Sequence, residues 1–436
     1  MKADNTTLID LSIFHPDAEQ SVFQRLNFTQ TNEGREYLRM FLSKPLNSVS
    51  AIIDTQVTLQ NLTSVLNKWP QQISNGTIMV LEKFYDTPID RLPNHPGFFD
   101  TLLYQFISAT DFSLTKYTVE HAIDFVKGMN VISNLLEDSN SKLLLSWRDR
   151  IRHLLRREQT VKLLVTDKKQ CSAKLILELG KFLRQRYKND LFELIDIYHK
   201  LDAYQSMAIA GNQLGLHFPE VIDAETPFLE AEELFHLLLP VPIPYDVRLN
   251  QSENFIFLTG ANMAGKSTFI KAIGIAAYLA HIGMGVPAKN MKIALLNGIL
   301  SNIQVSDNLI KGESYFFNEV QRIKNTIETV NQGNKWLILI DELFKGTNQE
   351  DAIRCSTVVM EGLSKKRNSL FILSTHLYEI GATLRQYSNV QFRYFETSVA
   401  DGELQFSYQL KPGISNDRLG YLILQKEGVL DLLRQL

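Results

Sequence analysis

The chain has 436 residues, 44% of them hydrophobic and 21% charged, with a net charge of −3 at pH 7. That mix excludes a disordered chain, a collagen-like fibre and a disulfide-stapled miniprotein, and the small negative total excludes wholesale coating of nucleic acid or membrane. At ~150 residues per domain the length allows two or three domains, and two cysteines, Cys171 and Cys355, form no framework and suit a reducing compartment.

The opening stretch MKADNTTLIDLSIF lacks the apolar core of a signal peptide. No apolar run approaches the ~18 residues of a membrane span, so the expectation is a cytoplasmic protein with no membrane partner. Glycine is uneven, with 7 in residues 1–225 and 15 in residues 226–436, which predicts a helical first half and a loop-rich second half. TLLYQFISATDF (101–112) and HAIDFVKGMNVISNLLED (121–138) carry helical spacing. Leu179, Leu183, Tyr187, Leu191, Leu194, Tyr198 and Leu201 recur at steps of three and four and predict one long helix face. Residues 141–190 hold 14 Lys and Arg against 5 Asp and Glu. Arg148, Arg152, Arg156, Arg157, Lys168 and Lys169 are the candidate contacts to a phosphate backbone there, near a turn-like TDKKQ (166–170). A basic, solvated helix face is the competing reading.

The prolines of PVPIPYDV (240–247) forbid a helix and predict an extended entry into the second part. FIFL (255–258), WLILI (336–340) and LFIL (370–373) read as buried parallel strands, and residues 390–410 read as two strands around Asp401-Gly402. The expected fold is an all-helical domain over 1–225 followed by a P-loop α/β domain over 226–436.

The strongest motif is Gly260-Ala261-Asn262-Met263-Ala264-Gly265-Lys266-Ser267, a full G-x-x-x-x-G-K-[ST] phosphate loop between a strand and a helix that opens with Ser267 and Thr268. Its glycines let backbone N–H groups face phosphate oxygens, Lys266 reaches the outer phosphates, and the Ser267 hydroxyl suits Mg²⁺. Asp341 and Glu342 close the WLILI strand. In that context Asp341 holds the hydrated Mg²⁺, and Glu342 polarises water for attack on the γ-phosphate of ATP. An acidic pair after a strand also opens helices, which is the alternative. Thr375-His376 ends the third strand, where a histidine senses the γ-phosphate or is merely structural.

Taken in order, these residues resemble the MutS family of DNA mismatch repair ATPases, whose nucleotide domain is of the ABC type. TGANMAGKST (259–268), LAHIGMGVPA (279–288), SDNLIKGESYFFNEV (306–320), LIDELFKGTNQED (339–351), STHLYEI (374–380) and LKPGISNDRLGYLILQKEGV (410–429) follow that family's motifs across nearly all of 226–436. Residues 26–56 and 201–223 resemble, less closely, the ends of its core and lever helices. Ala261, Ala264 and Lys345 stand where the family has Pro, Gly and Arg, and Asp417-Arg418-Leu419-Gly420 replaces a Ser-aromatic-Gly pattern. No stretch resembles the mismatch-reading domain, its connector or a full clamp, and the C-terminal dimerisation helices are expected to be minimal. The resemblance implies a homodimer with composite ATP sites, in which Ser314 touches the partner's nucleotide; an ordinary helix cap is the alternative for Ser314.

The expected function is therefore ATP binding and hydrolysis coupled to non-sequence-specific DNA binding or to a downstream repair protein. A nucleotide-switched scaffold with no DNA role is the second reading. A transporter motor would need an LSGGQ-like signature, and KGESYFF (311–317) is not one.

Overall fold

The computed structural model describes the chain apart from residues 90, 91, 94, 95, 304–314, 401, 402, 416–428, 430, 431 and 433–436. A helical part precedes a mixed sheet. The chain forms two compact units, one of Leu26–Ser43 with Asp54–Asn212, the other of Met1–Arg25, Lys44–Ile53 and Gln213–Leu436.

The first unit is helical. Thr31, Ser74, Ser141 and Ser172 cap helices by accepting a backbone N–H three residues on, as short hydroxyl side chains do at helix starts. The apolar series from Leu179 to Leu201 is buried throughout, so the predicted face is real. It belongs to two helices, however, Ala173–Arg186 and Lys188–Gln213, which break at Tyr187. No proline or glycine marks that break. The Tyr187 ring stacks on Phe182 at 4.9 Å, and its carbonyl accepts from Leu191 N at 2.9 Å to start the next helix. Tertiary packing fixes the turn, which is why periodicity ran through it. Asp202, 1% exposed, accepts from Gln30 N, Thr31 N and Thr31 Oγ1, fastening the unit's first loop to its last helix.

The second unit contains the strands β1 (Lys2–Ala3), β2 (Glu220–Ile222), β3 (Leu229–Leu234), β4 (Tyr245–Leu249), β5 (Phe255–Thr259), β6 (Asn290–Ala294), β7 (Gly298–Asn302), β8 (Trp336–Asp341), β9 (Ser369–Ser374), β10 (Val390–Ala400) and β11 (Glu403–Pro412). Among the described residues they form a seven-stranded sheet in the order β1-β7-β8-β9-β5-β10-β11 and a four-stranded sheet in the order β2-β6-β3-β4. Every residue of β5, β8 and β9 is buried, as expected of central parallel strands. The paired strands at 390–410 also form, antiparallel; Asp401-Gly402 lie outside the described residues.

The N-terminal segment packs into this unit, which the glycine count did not foretell. β1 pairs in parallel with β7, Thr7 Oγ1 accepts from Ser301 N, and buried Asp10 accepts from Ser301 Oγ at 2.6 Å and Ile303 N at 3.0 Å. Among the described residues no helix is long and apolar enough to cross a membrane.

In chain order β5 precedes β8 and β9, yet β9 lies between the other two. The C-terminal ends of three adjacent parallel strands thus converge, at the place where open α/β sheets bind ligands.

Candidate functional site

The loop after β5 runs into the helix Lys266–Ile282. Gly260, Met263 and Gly265 have φ of 142°, 70° and 107°. A Cβ on Gly260 would sit 3.3 Å from the carbonyl oxygen of Phe395, and one on Gly265 3.4 Å from the Tyr408 ring. Backbone shape therefore requires both glycines, and at Gly260 the close carbonyl adds to it. Lys266 is buried, and its Nζ donates to the loop's own carbonyls, Gly260 at 2.8 Å and Ala261 at 3.0 Å. Burial pushes its pKa down, and Glu342 and Asp341 oppose that. A buried ammonium resting on two carbonyls is poised to exchange them for an anion.

Ser267 Oγ donates to Asp341 Oδ2, and Ser374 Oγ, at the end of β9, donates to Oδ1 of the same carboxylate. The expected metal pair, Ser267 and Asp341, is thus in contact, and Ser374, which opens the STHLYEI stretch but is not among the expected site residues, is a third member.

Glu342 follows at φ 62°, a left-handed conformation costly for a side chain with a Cβ, and its N–H donates to Ser374 O at 3.0 Å. His376 Nδ1 lies 3.8 Å from Glu342 Oε1, too far for a hydrogen bond but close enough to attract the carboxylate. Lys345 Nζ lies 3.1 Å from Oε2. His376 and Lys345 together hold the Glu342 carboxyl down to about 2 against the upward push of burial. Phe344, two residues on, also has positive φ, at 59°. Strain of this kind persists only where neighbours impose it.

A cavity of about 610 Å³ opens over these groups. Its polar wall includes Lys266, Ser267, Thr268 and Glu342, with Asn262 and Met263 from the loop; its apolar wall includes Leu239, Ile243, Tyr245 and Tyr408. The apolar wall comes largely from the proline-bounded segment before β4, which the sequence placed only as an entry strand. Ser415 N donates to Thr259 Oγ1 at 2.9 Å. Ser314 and Asp417 to Gly420 lie outside the described residues.

The basic stretch of the helical unit is partly ion-paired. Arg148 pairs with Asp149 at 2.8 Å, Arg152 with Glu137, Arg157 with Asp190 at 2.7 Å and Lys168 with Asp124 at 2.6 Å. Arg156 and Lys169 are exposed. Cations from the same stretch also converge on a separate cavity of about 550 Å³, lined by Lys162, Lys174, Lys181 and Arg186 together with Glu178, which lies 4.0 Å from Lys174 Nζ. The helix Ala173–Arg186 brings Lys174, Glu178 and Lys181 to one face at steps of four and three.

Residues 256–431 match the family model described as MutS domain V. The chain is similar to DNA mismatch repair protein MutS of Aquifex pyrophilus, 28% identical over 58% of this chain and 30% of that protein. It is similar also to MutS of Persephonella marina, 30% identical over 52% of this chain and 26% of that protein. DNA mismatch repair protein MSH3 of Vanderwaltozyma polyspora is 30% identical over 54% of this chain and 24% of that protein. The matches thus span less than a third of each of these relatives.

Proposed function

We propose, from the premise that this chain belongs to the MutS family, that it binds and hydrolyses ATP at the cavity over β5, β8 and β9 and couples nucleotide state to DNA contact. The observation that carries this reading is the convergence of the Gly260–Thr268 loop, the Ser267–Asp341–Ser374 hydrogen bonds and Glu342 at neighbouring strand ends. Gly260 to Gly265 supply the curved backbone for the phosphates, and Lys266 leaves its two carbonyls for the outer phosphate oxygens. Ser267 and Asp341 are hard oxygen donors of the kind Mg²⁺ takes, and that ion would supply neutralisation of phosphate charge. The apolar wall around Ile243 and Tyr245 suits the face of a purine.

Glu342 has the position to accept a hydrogen bond from the attacking water. With its carboxyl held at about 2 by His376 and Lys345, it orients and polarises that water rather than acting as a strong base. His376 stands where it would sense the γ-phosphate through Glu342. We assign the helical core and lever role to the helical unit within residues 1–225 and the ATPase domain, of ABC type, to 226–436. A homodimer with Ser314 reaching the partner's nucleotide, and a cytoplasmic location, complete the proposal.

For DNA, the cavity at Lys162, Lys174, Lys181 and Arg186 gathers four cations on one concave surface and is a candidate beside the arginines singled out by sequence, several of which are ion-paired. The same pairing favours the second reading, a nucleotide-switched scaffold without DNA contact. ATP turnover by the wild type and Glu342→Gln, each with and without homoduplex, mismatched and branched DNA, tests both. Turnover abolished by the substitution and altered by DNA is the expected result. Turnover that Glu342→Gln leaves intact refutes its role, and turnover indifferent to every DNA, with no gel shift at low salt, favours the scaffold.

A further inference from the structure

Glu319 lies in the second turn of the helix Tyr315–Val330 and is 1% exposed. Its two carboxylate oxygens accept from consecutive backbone amides of the loop after β8: Oε1 from Lys345 N at 3.2 Å and Oε2 from Gly346 N at 3.2 Å. Phe316, three residues earlier on the same helix, sets its ring 5.8 Å from that of Phe344. One helix therefore grips one loop at two adjacent points, a ring contact at Phe344 and a two-pronged hydrogen-bonded clamp at Lys345 and Gly346.

The helix is itself anchored. Arg322, a turn further on, donates to Ser301 O at 2.9 Å and lies 3.7 Å from Asp10 Oδ2, tying it to β7 and to the N-terminal segment. The loop it holds is the strained one, where Glu342 and Phe344 both take positive φ. It also carries Lys345, whose ammonium fixes Glu342 Oε2. Burying a carboxylate is unfavourable unless its acceptor capacity is met, and an apolar side chain would fill the same space without that cost. Two amides aligned on one carboxylate specify the direction of the backbone at 345 and 346, which packing alone does not.

We infer that Glu319 is a positioning residue for the proposed reaction: by clamping the Lys345 and Gly346 amides it keeps the loop in the conformation that aims Glu342 at the nucleotide cavity. Glu319 does not line that cavity and acts through the loop. The inference rests on the reading of Glu342 as the group that orients water. Burial raises the Glu319 carboxyl above its ordinary range, and the loop amides pull against that rise.

The test is Glu319→Gln, which preserves size but turns an N–H toward one of the two amides, with Glu319→Asp as a shorter carboxylate. Two measurements are made on the full chain. Amide hydrogen exchange at Lys345 and Gly346 reads the clamp without any reference to activity. Steady-state ATP hydrolysis, with nucleotide affinity from a fluorescent ATP analogue, reads the consequence. In the wild type both amides are expected to be protected although they lie in a loop. In Glu319→Gln their exchange rises tenfold or more, kcat falls about tenfold or more and the affinity changes less than about threefold. Glu319→Asp is expected to recover part of both losses.

Unprotected Lys345 and Gly346 amides in the wild type would overturn the clamp even if neither variant folds. Faster exchange with unchanged kcat would show a clamp with no bearing on the reaction, overturning the inference while leaving Glu342 untouched. Loss of nucleotide affinity in step with kcat would mark a general structural role and likewise overturn it. A wild type with protected amides but no ATP turnover refutes the proposed hydrolysis instead, so the two failures are distinguishable.

Discussion

Glu342→Gln makes a prediction about stability that needs no nucleotide. In the folded chain the Glu342 carboxyl is drawn down to about 2 by His376 and Lys345, from an ordinary value of 4.5. Its side chain is 17% exposed, so solvent screens the attraction only partly. A carboxyl depressed by that much favours the folded state by about 3 kcal/mol wherever it is ionised in both folded and unfolded chains. That contribution is fully present above pH ~5, falls to about 1 kcal/mol near pH 3 and vanishes as pH drops through about 2. Glutamine does not titrate, so the stability gap between wild type and Glu342→Gln is expected to narrow by about 2 kcal/mol between pH 6 and pH 3. Urea unfolding at several pH values, followed by Trp336 fluorescence in a background with Trp69 and Trp147 replaced by Phe, reads the gap where it arises, since Trp336 lies in β8. Only the pH-dependent part is compared, so any fixed cost of the substitution cancels. Lys345→Met, which removes the 3.1 Å ion pair, is expected to reduce the pH-dependent part and raise the Glu342 carboxyl toward its ordinary range. A gap that stays constant from pH 6 to pH 3 would refute the electrostatic account of Glu342.

Other outcomes follow from the same geometry. A Cβ on Gly298 would lie 2.0 Å from the Trp336 ring, so Gly298→Ala is expected to overpack the β7–β8 contact and cost about 3 kcal/mol or more, visible as a drop of several degrees in Tm. Gly265→Ala forces an L side chain to φ 107° and is expected to cost about 1–2 kcal/mol, with at least a tenfold loss of ATP affinity in equilibrium titration. Charge reversal at Lys162, Lys174 and Lys181, which line one concave surface, is expected to weaken duplex binding in a gel shift and to flatten its salt dependence, and reversal at Arg152 and Arg157, outside that cavity, is expected to do less. Equal effects of the two sets would count against the cavity as the contact surface.

The parts of this molecule that sequence made legible are those in which the chemistry is local. Gly260, Gly265, Lys266 and Ser267 stand within eight consecutive residues, and the backbone shape they need is written in their own residue types. The three buried strands were equally readable, because a central parallel strand is apolar at every position. Ser374 and Glu319 fall inside the family-like stretches 374–380 and 306–320, yet nothing local says what either one touches. Each acts on a residue distant in sequence, Ser374 on Asp341 and Glu319 on the amides of Lys345 and Gly346, and a serine in a strand or a glutamate in a helix is unremarked by any spacing rule. The same reason explains the helix break at Tyr187, which is set by a ring stacked on Phe182, and the two-residue β1, too short to carry a pattern. It explains the cations too. The sequence showed that 141–190 is basic, but whether a given arginine is available depends on whether Glu137 or Asp190 folds beside it. Charge composition therefore located the stretch, and only the packing of Ala173–Arg186 against its neighbours brought Lys162, Lys174, Lys181 and Arg186 to one cavity. The groups that bind phosphate are locally encoded, and the groups that aim and tune them are encoded only through the fold.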